Sequence, residues 1–132
     1  MYLVDTSVWL DFFRNRSTQA VTKFEEILDH NLPFGITSVI YQEVLQGADS
    51  PRDFSKLQKY LATQKFYYPL DPILSYEQAA DLYFQCRRQG ITIRGTVDCL
   101  IAQIAIEHKL HLLHNDRDFA QMATVNKNLK LA

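Results

Sequence analysis

An α/β fold, with a parallel sheet covered by helices on both faces, follows from three features of this 132-residue chain. Short apolar runs, three to five residues long, alternate with longer stretches whose apolar residues recur at helical spacing. Residues suited to helix ends punctuate those stretches, with hydroxyl side chains in front and glycine behind. Strands separated by whole helices cannot pair as tight hairpins; they need crossovers, which give parallel strands. A composition of 47% hydrophobic residues with four glycines and four prolines suits one domain over residues 1–132 and argues against disorder. No repeat, linker or low-complexity segment interrupts it.

Tyr2–Val4 reads as a short buried strand, and Thr6–Arg14 as a helix with Trp9, Phe12 and Phe13 on one side. Ser17 or Thr18 caps a second helix to about Asp29, striped by Val21, Phe24, Ile27 and Leu28. Leu32–Ile36 is a second strand, which Pro33 makes short or places at an edge. Ser38 opens a helix that Gly47 closes, and Ser50-Pro51 begins another. Phe66–Leu70, in the segment KFYYPL, is a third strand, its aromatics fitting a strand and core better than base stacking. Ser75 starts a long helix, with Gln78 placed for a capping box and Gly90 just past the end. After the loop Ile91–Gly95, Thr96 opens a strongly apolar helix to about His108. Leu110–His114 is a fourth strand, Asp118–Ala123 a short helix, and Leu129–Leu131 a candidate fifth strand.

Several classes are disfavoured. A net charge of −1 lacks the basic excess usual in nucleic-acid binders, though it leaves room for a local basic patch beside an acidic site. No apolar run reaches the roughly 20 residues of a membrane span. The N-terminus has neither a basic region nor a cleavage signature, so no export signal is expected. Cys86 and Cys99 then read as reduced thiols of a cytoplasmic protein.

The informative question is where the acids sit. In open parallel sheets the functional crevice lies at the carboxyl ends of the strands. Asp5 stands at the end of the first strand and Asp116 just past the fourth. In SVIYQEVLQG, Glu43 shares a helix face with Ile40, Val44 and Gly47; in TVDCLIAQIAIEH, Asp98 shares one with Ile101, Ala102 and Ala105. A carboxylate on such a face needs a partner or a wet cleft. Each has a structural reading of its own: Asp5 as a helix cap, Asp98 as a dipole partner, Asp116 as a turn residue, Glu43 as part of a half-exposed face. If the four meet in space, repulsion is severe at neutral pH, and a divalent cation such as Mg²⁺ or Mn²⁺ relieves it.

LVDTSVW, the acid of SVIYQEVLQG, TVDCLIAQIA and LLHNDRDF stand in the order and rough spacing of a PIN-domain ribonuclease. The chain resembles that family along almost its whole length, and most closely the VapC toxins of prokaryotic toxin–antitoxin modules. The resemblance implies a three-layer α/β/α sandwich with a central parallel sheet of four or five strands. It implies an acidic pocket that holds Mg²⁺ or Mn²⁺ and cleaves RNA phosphodiester bonds. By motif, Asp5, Glu43, Asp98 and Asp116 match the catalytic acids, with Asp5, Asp98 and Asp116 as metal ligands. Asp118 competes with Asp116 but is preferred as the cap of the last helix. Thr6 or Ser7 matches the small hydroxyl residue after the first acid. A cognate VapB-like antitoxin that wraps the toxin and obstructs its pocket, and a homodimer, are also implied.

No serine, cysteine or histidine nucleophile is needed for this chemistry. His30, His108, His111 and His114 form no HExxH pair, and His111 and His114 point to opposite faces if they lie in one strand. Arg94 and Arg117 could contact phosphate or pair with a pocket acid. Two rivals remain. A Mg²⁺-dependent phosphatase or phosphoryl-transfer domain of the haloacid-dehalogenase type needs a second aspartate two residues after the first, where this chain has Ser7. A non-catalytic binding module would use the same acids only as caps.

Overall fold

The computed structural model describes residues 1–132. Its elements run β1 (Tyr2–Val4), α1 (Thr6–Phe13), α2 (Gln19–Asp29), β2 (Phe34–Ile36), α3 (Ser38–Gln46), α4 (Pro51–Leu61), β3 (Lys65–Phe66), α5 (Leu74–Arg88), α6 (Thr96–Glu107), β4 (His111–Leu113), α7 (Arg117–Val125) and β5 (Lys130–Leu131). All strands pair in parallel, in the order β3-β2-β1-β4-β5. The chain steps outward from β1 to β2 and β3, then returns to the other side of β1 for β4 and β5. Right-handed crossovers in opposite directions put their helices on opposite faces. Helices α1–α4, which pack among themselves, cover one face, and α5–α7 cover the other. The predicted α/β/α sandwich with a parallel sheet is therefore the fold, with all five strands present. No helix is long and apolar enough to cross a membrane.

Reversal of the strand order leaves a crevice between β1 and β4 at their carboxyl ends. The two strands are in register from Tyr2 opposite His111 to Val4 opposite Leu113, and the Asp5 N–H extends the ladder to the Leu113 carbonyl at 2.9 Å. Whatever follows either strand is thus delivered to one place.

Most expected elements form where local chemistry places them, and the differences have tertiary causes. Pro33 shortens β2 without putting it at an edge: β2 lies between β1 and β3, and Pro33 stands just outside it. The third strand ends at Phe66, not Leu70. Beyond it, His108 contacts the Tyr68 carbonyl (2.7 Å) and Glu107 accepts from the Leu70 N–H (3.0 Å), so α6 captures the backbone that would have extended the sheet. Helix α5 starts at Leu74 without the capping box expected at Ser75 and Gln78. The Asp71 carboxylate accepts from the Ile73 and Leu74 N–H groups, while Ser75 donates to Glu107 and Gln78 accepts from Gln103. Thr37, not Ser38, caps α3. Gly90 does end α5 as its position predicted: its φ of 78° suits glycine, and the following Ile91 N–H reaches the Cys86 carbonyl.

Trp9 anchors the core on the α1–α4 side. It is fully buried, donates to the Val4 carbonyl (3.2 Å) and meets the Phe24 ring edge-on at 4.9 Å. On the other side α6 is buried without a break through its middle, from Cys99 to Ala105. Both thiols are free and buried. In β2, Gly35 leaves no room for a side chain. A Cβ there would stand 2.5 Å from the Lys65 carbonyl oxygen and 2.6 Å from the Tyr67 ring. Backbone cannot move aside as a side-chain tip can, so Gly35→Ala is expected to cost about 1–3 kcal/mol through overpacking. A urea titration reads this directly, and an unchanged midpoint would mean that β2 and β3 separate without cost.

Candidate functional site

Five carboxylates gather at the crevice. Asp5 leaves β1, Glu43 stands on α3, Asp98 lies in the first turn of α6, and Asp116 and Asp118 flank the start of α7. Glu43, Asp98, Asp116 and Asp118 line one open cleft together with Arg94, Gly95, Thr96 and Val97. Asp5 is not among the lining residues: it is only 4% exposed, and its charge is felt by Asp98. The four acids singled out in the sequence therefore converge, Glu43 and Asp98 from two helices and Asp5 and Asp116 from two strand ends.

Asp5 is a helix cap and a site residue at once. Its Oδ2 accepts from the Ser7 N–H (3.0 Å) and the Ser7 hydroxyl (2.6 Å), as a cap of α1 should. Both Ser7 hydrogen bonds fall on that one oxygen. The Ser7 hydroxyl in turn accepts from the Asn115 N–H (3.0 Å), and the Asn115 side chain donates to Asp11 (3.0 Å), which ties the loop after β4 to α1. Thr6 takes a different partner: its hydroxyl donates to Glu43 Oε1 at 2.7 Å. Both hydroxyl residues after the first acid thus orient a carboxylate.

Asp118 is not the cap of the last helix. Asp116 is, with its Oδ1 accepting from the Asp118 N–H at 2.9 Å. The loop before it is fixed by the Asp116 N–H, which donates to His114 Nδ1 at 3.1 Å. Asp118, 1% exposed, instead turns inward and accepts from Arg94 through both the backbone N–H (3.1 Å) and Nε (3.3 Å). Arg94 Nη2 reaches Asp116 Oδ1 at 2.8 Å, while Arg117 stays exposed. The signal for Asp118 was present in the sequence: it shares the apolar stripe of Phe119 and Met122, as Glu43 and Asp98 share theirs. A cap preference can be met by either aspartate of NDRD, so local propensity alone picks between them no better than chance.

Carboxylate oxygens of Asp98, Asp116 and Asp118 lie within 4.8 Å of one another. Two full charges at that separation repel by roughly 3 kcal/mol at an effective dielectric of about 20. That exceeds the worth of a cap, so electrostatics dominates here. Burial first, then the charges of Asp5, Asp116, Glu43 and Asp118, raise the Asp98 carboxyl from 3.8 to about 7. Burial also raises Asp5 to about 6, with a contribution from Glu43, against the lowering effect of the Ser7 hydrogen bonds. Asp98 is the electrostatic centre of the group. The donor set is all oxygen, with no histidine or thiol ligand among the clustered atoms, and suits a hard divalent cation.

Residues 2–125 match the PIN domain family. The chain is 32% identical to Ribonuclease VapC11 of Mycobacterium tuberculosis strain H37Rv over 133 aligned positions, covering 100% of this chain and 98% of that protein. The same figures hold for VapC ribonuclease Mb1587 of Mycobacterium bovis. Among solved structures, VapBC2 of Rickettsia felis bound to a DNA fragment from its promoter matches with a TM-score of 0.73 at 20% identity, over 99% of this chain and 96% of that one. VapBC-1 of nontypeable Haemophilus influenzae matches with a TM-score of 0.69 at 21% identity, again over 99% and 96%.

The raised carboxyls have a stability consequence. Between pH 3.8 and about 7 the folded, metal-free protein holds protons on Asp98 that the unfolded chain releases. Stability from this group is therefore complete at low pH and declines as pH rises through that window. His114, lowered by burial, acts in the opposite sense, so the effect is best read as a difference between proteins. In chelator-treated samples Asp98→Asn should gain stability relative to the parent as pH rises from 5 to 8. Urea titrations at the two pH values check this, and a pH-independent difference would contradict the crowding of charge at Asp98.

Proposed function

The chain belongs to the PIN-domain family, and from that premise we propose that it is a divalent-metal-dependent endoribonuclease, the toxin of a type II toxin–antitoxin pair. The observation that carries this reading is the convergence of five carboxylates on Asp98 at the topological switch point. A binding module that used these acids only as caps would need no such convergence. The phosphatase reading lacks its second aspartate, since Ser7 occupies that position and spends its hydroxyl on Asp5.

Asp98 and Asp116, with Asp118 clustered beside them and Asp5 close enough to be felt by Asp98, would hold Mg²⁺ or Mn²⁺. When bound, the ion supplies positive charge that polarises the scissile phosphate and lowers the pKa of an attacking water. Glu43 orients that water: Thr6 fixes its Oε1 and leaves the second oxygen free to accept a hydrogen bond. Thr6, Ser7 and the backbone N–H groups at α7 lock the carboxylates before substrate arrives, which is the preorganisation such a site needs. Serine, cysteine and histidine side chains carry no covalent step.

A VapB-like antitoxin partner has a surface to use. An apolar groove lined by Tyr76, Tyr83, Cys99 and Leu100 runs beside the acidic cleft, and Thr96 and Val97 line both. A chain segment laid in the groove would pass directly over the acids and block RNA. The reading extends to one cytoplasmic domain over residues 1–132, acting as a homodimer.

Two outcomes test it. Asp98→Asn keeps the side-chain size and removes one charge; Mg²⁺- or Mn²⁺-dependent cleavage of RNA should fall by more than about a hundredfold, the upper range seen when mere outer-shell partners of metals are lost. Circular dichroism should show the fold retained, and parent-like cleavage by the folded variant would remove Asp98 from the mechanism. Separately, Mn²⁺ at a hundredfold excess over its dissociation constant should stabilise the parent by about 2.7 kcal/mol. Asp5→Ala should gain much less, and equal gains in melting temperature would leave Asp5 a helix cap only.

A further inference from the structure

Arg94 is the one basic residue lining the acidic cleft. Its guanidinium bonds one oxygen of each carboxylate at α7: Nη2 to Asp116 Oδ1 at 2.8 Å and Nε to Asp118 Oδ2 at 3.3 Å. Two features separate what the guanidinium does from what the loop does. First, each of those oxygens has a backbone donor as well. Asp116 Oδ1 accepts from the Asp118 N–H (2.9 Å), and Asp118 Oδ2 from the Arg94 N–H (3.1 Å). The carboxylates therefore stay placed if the side chain leaves. Second, the Arg94 side chain is 59% exposed, against 25% for Asp116 and 2% for Asp118. It closes the cluster from the solvent side and can swing out without disturbing the core.

What the guanidinium supplies is charge. Without it, five carboxylates would face one another with no cation among them. We infer that Arg94 is the resident cation of the metal-free site, and that it competes with the divalent ion for Asp116 and Asp118 and gives way when the ion binds. This rests on the metal-dependent reading proposed above. Arg94 is a positioning and regulatory residue in this role, since it acts through the two carboxylates.

The inference predicts opposite effects of one substitution. Arg94→Gln removes the charge and keeps the backbone N–H. The metal-free protein should melt at lower temperature, because the acids lose their counter-charge. Mn²⁺ should bind at least about threefold more tightly, because a repelling cation a few ångströms away is gone. Calorimetric titration of chelator-stripped protein with Mn²⁺ reads the second effect without any assay of activity. Arg94→Lys, which keeps the charge but not the two-carboxylate fork, should bind Mn²⁺ between the parent and Arg94→Gln. A residue that merely braced the site would lower both stability and Mn²⁺ affinity. Equal or weaker Mn²⁺ binding by folded Arg94→Gln, or by Arg94→Lys if the glutamine variant does not fold, overturns the inference alone. Absence of Mn²⁺ binding to the parent protein overturns the metal-dependent reading and the inference with it.

Discussion

Repulsion among five carboxylates at the carboxyl edge of the sheet is the constraint around which this molecule is organised. Asp5, Glu43, Asp98 and the Asp116–Asp118 pair come from four separate segments of the chain, and folding forces them together. Burial first, and then the resulting field, raise the Asp98 carboxyl to about 7. A group of this kind is tolerated only where positive charge or protons are available. The structure itself supplies one cation, the Arg94 guanidinium, and several dipoles: the Ser7, Asp118 and Arg94 N–H groups and the Thr6 and Ser7 hydroxyls. These soften the repulsion without cancelling it. That residual field is the physical reason to expect a divalent ion, and a site already ordered toward it.

The scaffold bears this load because Asp5 and Asp98 are carried by its most buried elements. Asp5 directly follows the central strand, with its own N–H in the β1–β4 ladder. Asp98 is carried by α6, the most deeply buried helix, wedged against α5 by the Gln103, Gln78, Ser75 and Glu107 side chains. The loop after β4 is tied to α1 through Asn115 and to itself through His114. Nearly every polar group around the cleft therefore either touches an acid or holds the segment that carries one. The apolar groove on the α5–α6 side stands in contrast: Tyr76 is half exposed there, and Thr96 and Val97 at its end also border the cleft. The groove and the cleft therefore adjoin at the first turn of α6.

The order of strands and helices was legible from the residues because it depends on local quantities. Alternation of apolar runs, helical spacing and cap chemistry each act over a few residues, and they place β1, α2, α6 and β4 close to their observed bounds and α4 at its observed start. The parallel sheet followed from the lengths of the connections. The acids on apolar stripes were legible for a similar reason: Glu43 and Asp98 break a periodicity that the core otherwise imposes. What tertiary structure alone decided is every choice between locally equivalent partners. Asp116 rather than Asp118 caps α7, while Asp118 is drawn inward to the Arg94 backbone N–H and Nε, a choice that depends on a loop more than twenty residues earlier in the chain. The third strand stops at Phe66 because Glu107 and His108, some forty residues away, take its backbone. Strand order, and with it the meeting of Asp5 with Asp116 at one switch point, has no local signature, because it is set by which strands bury which faces once the whole chain has collapsed.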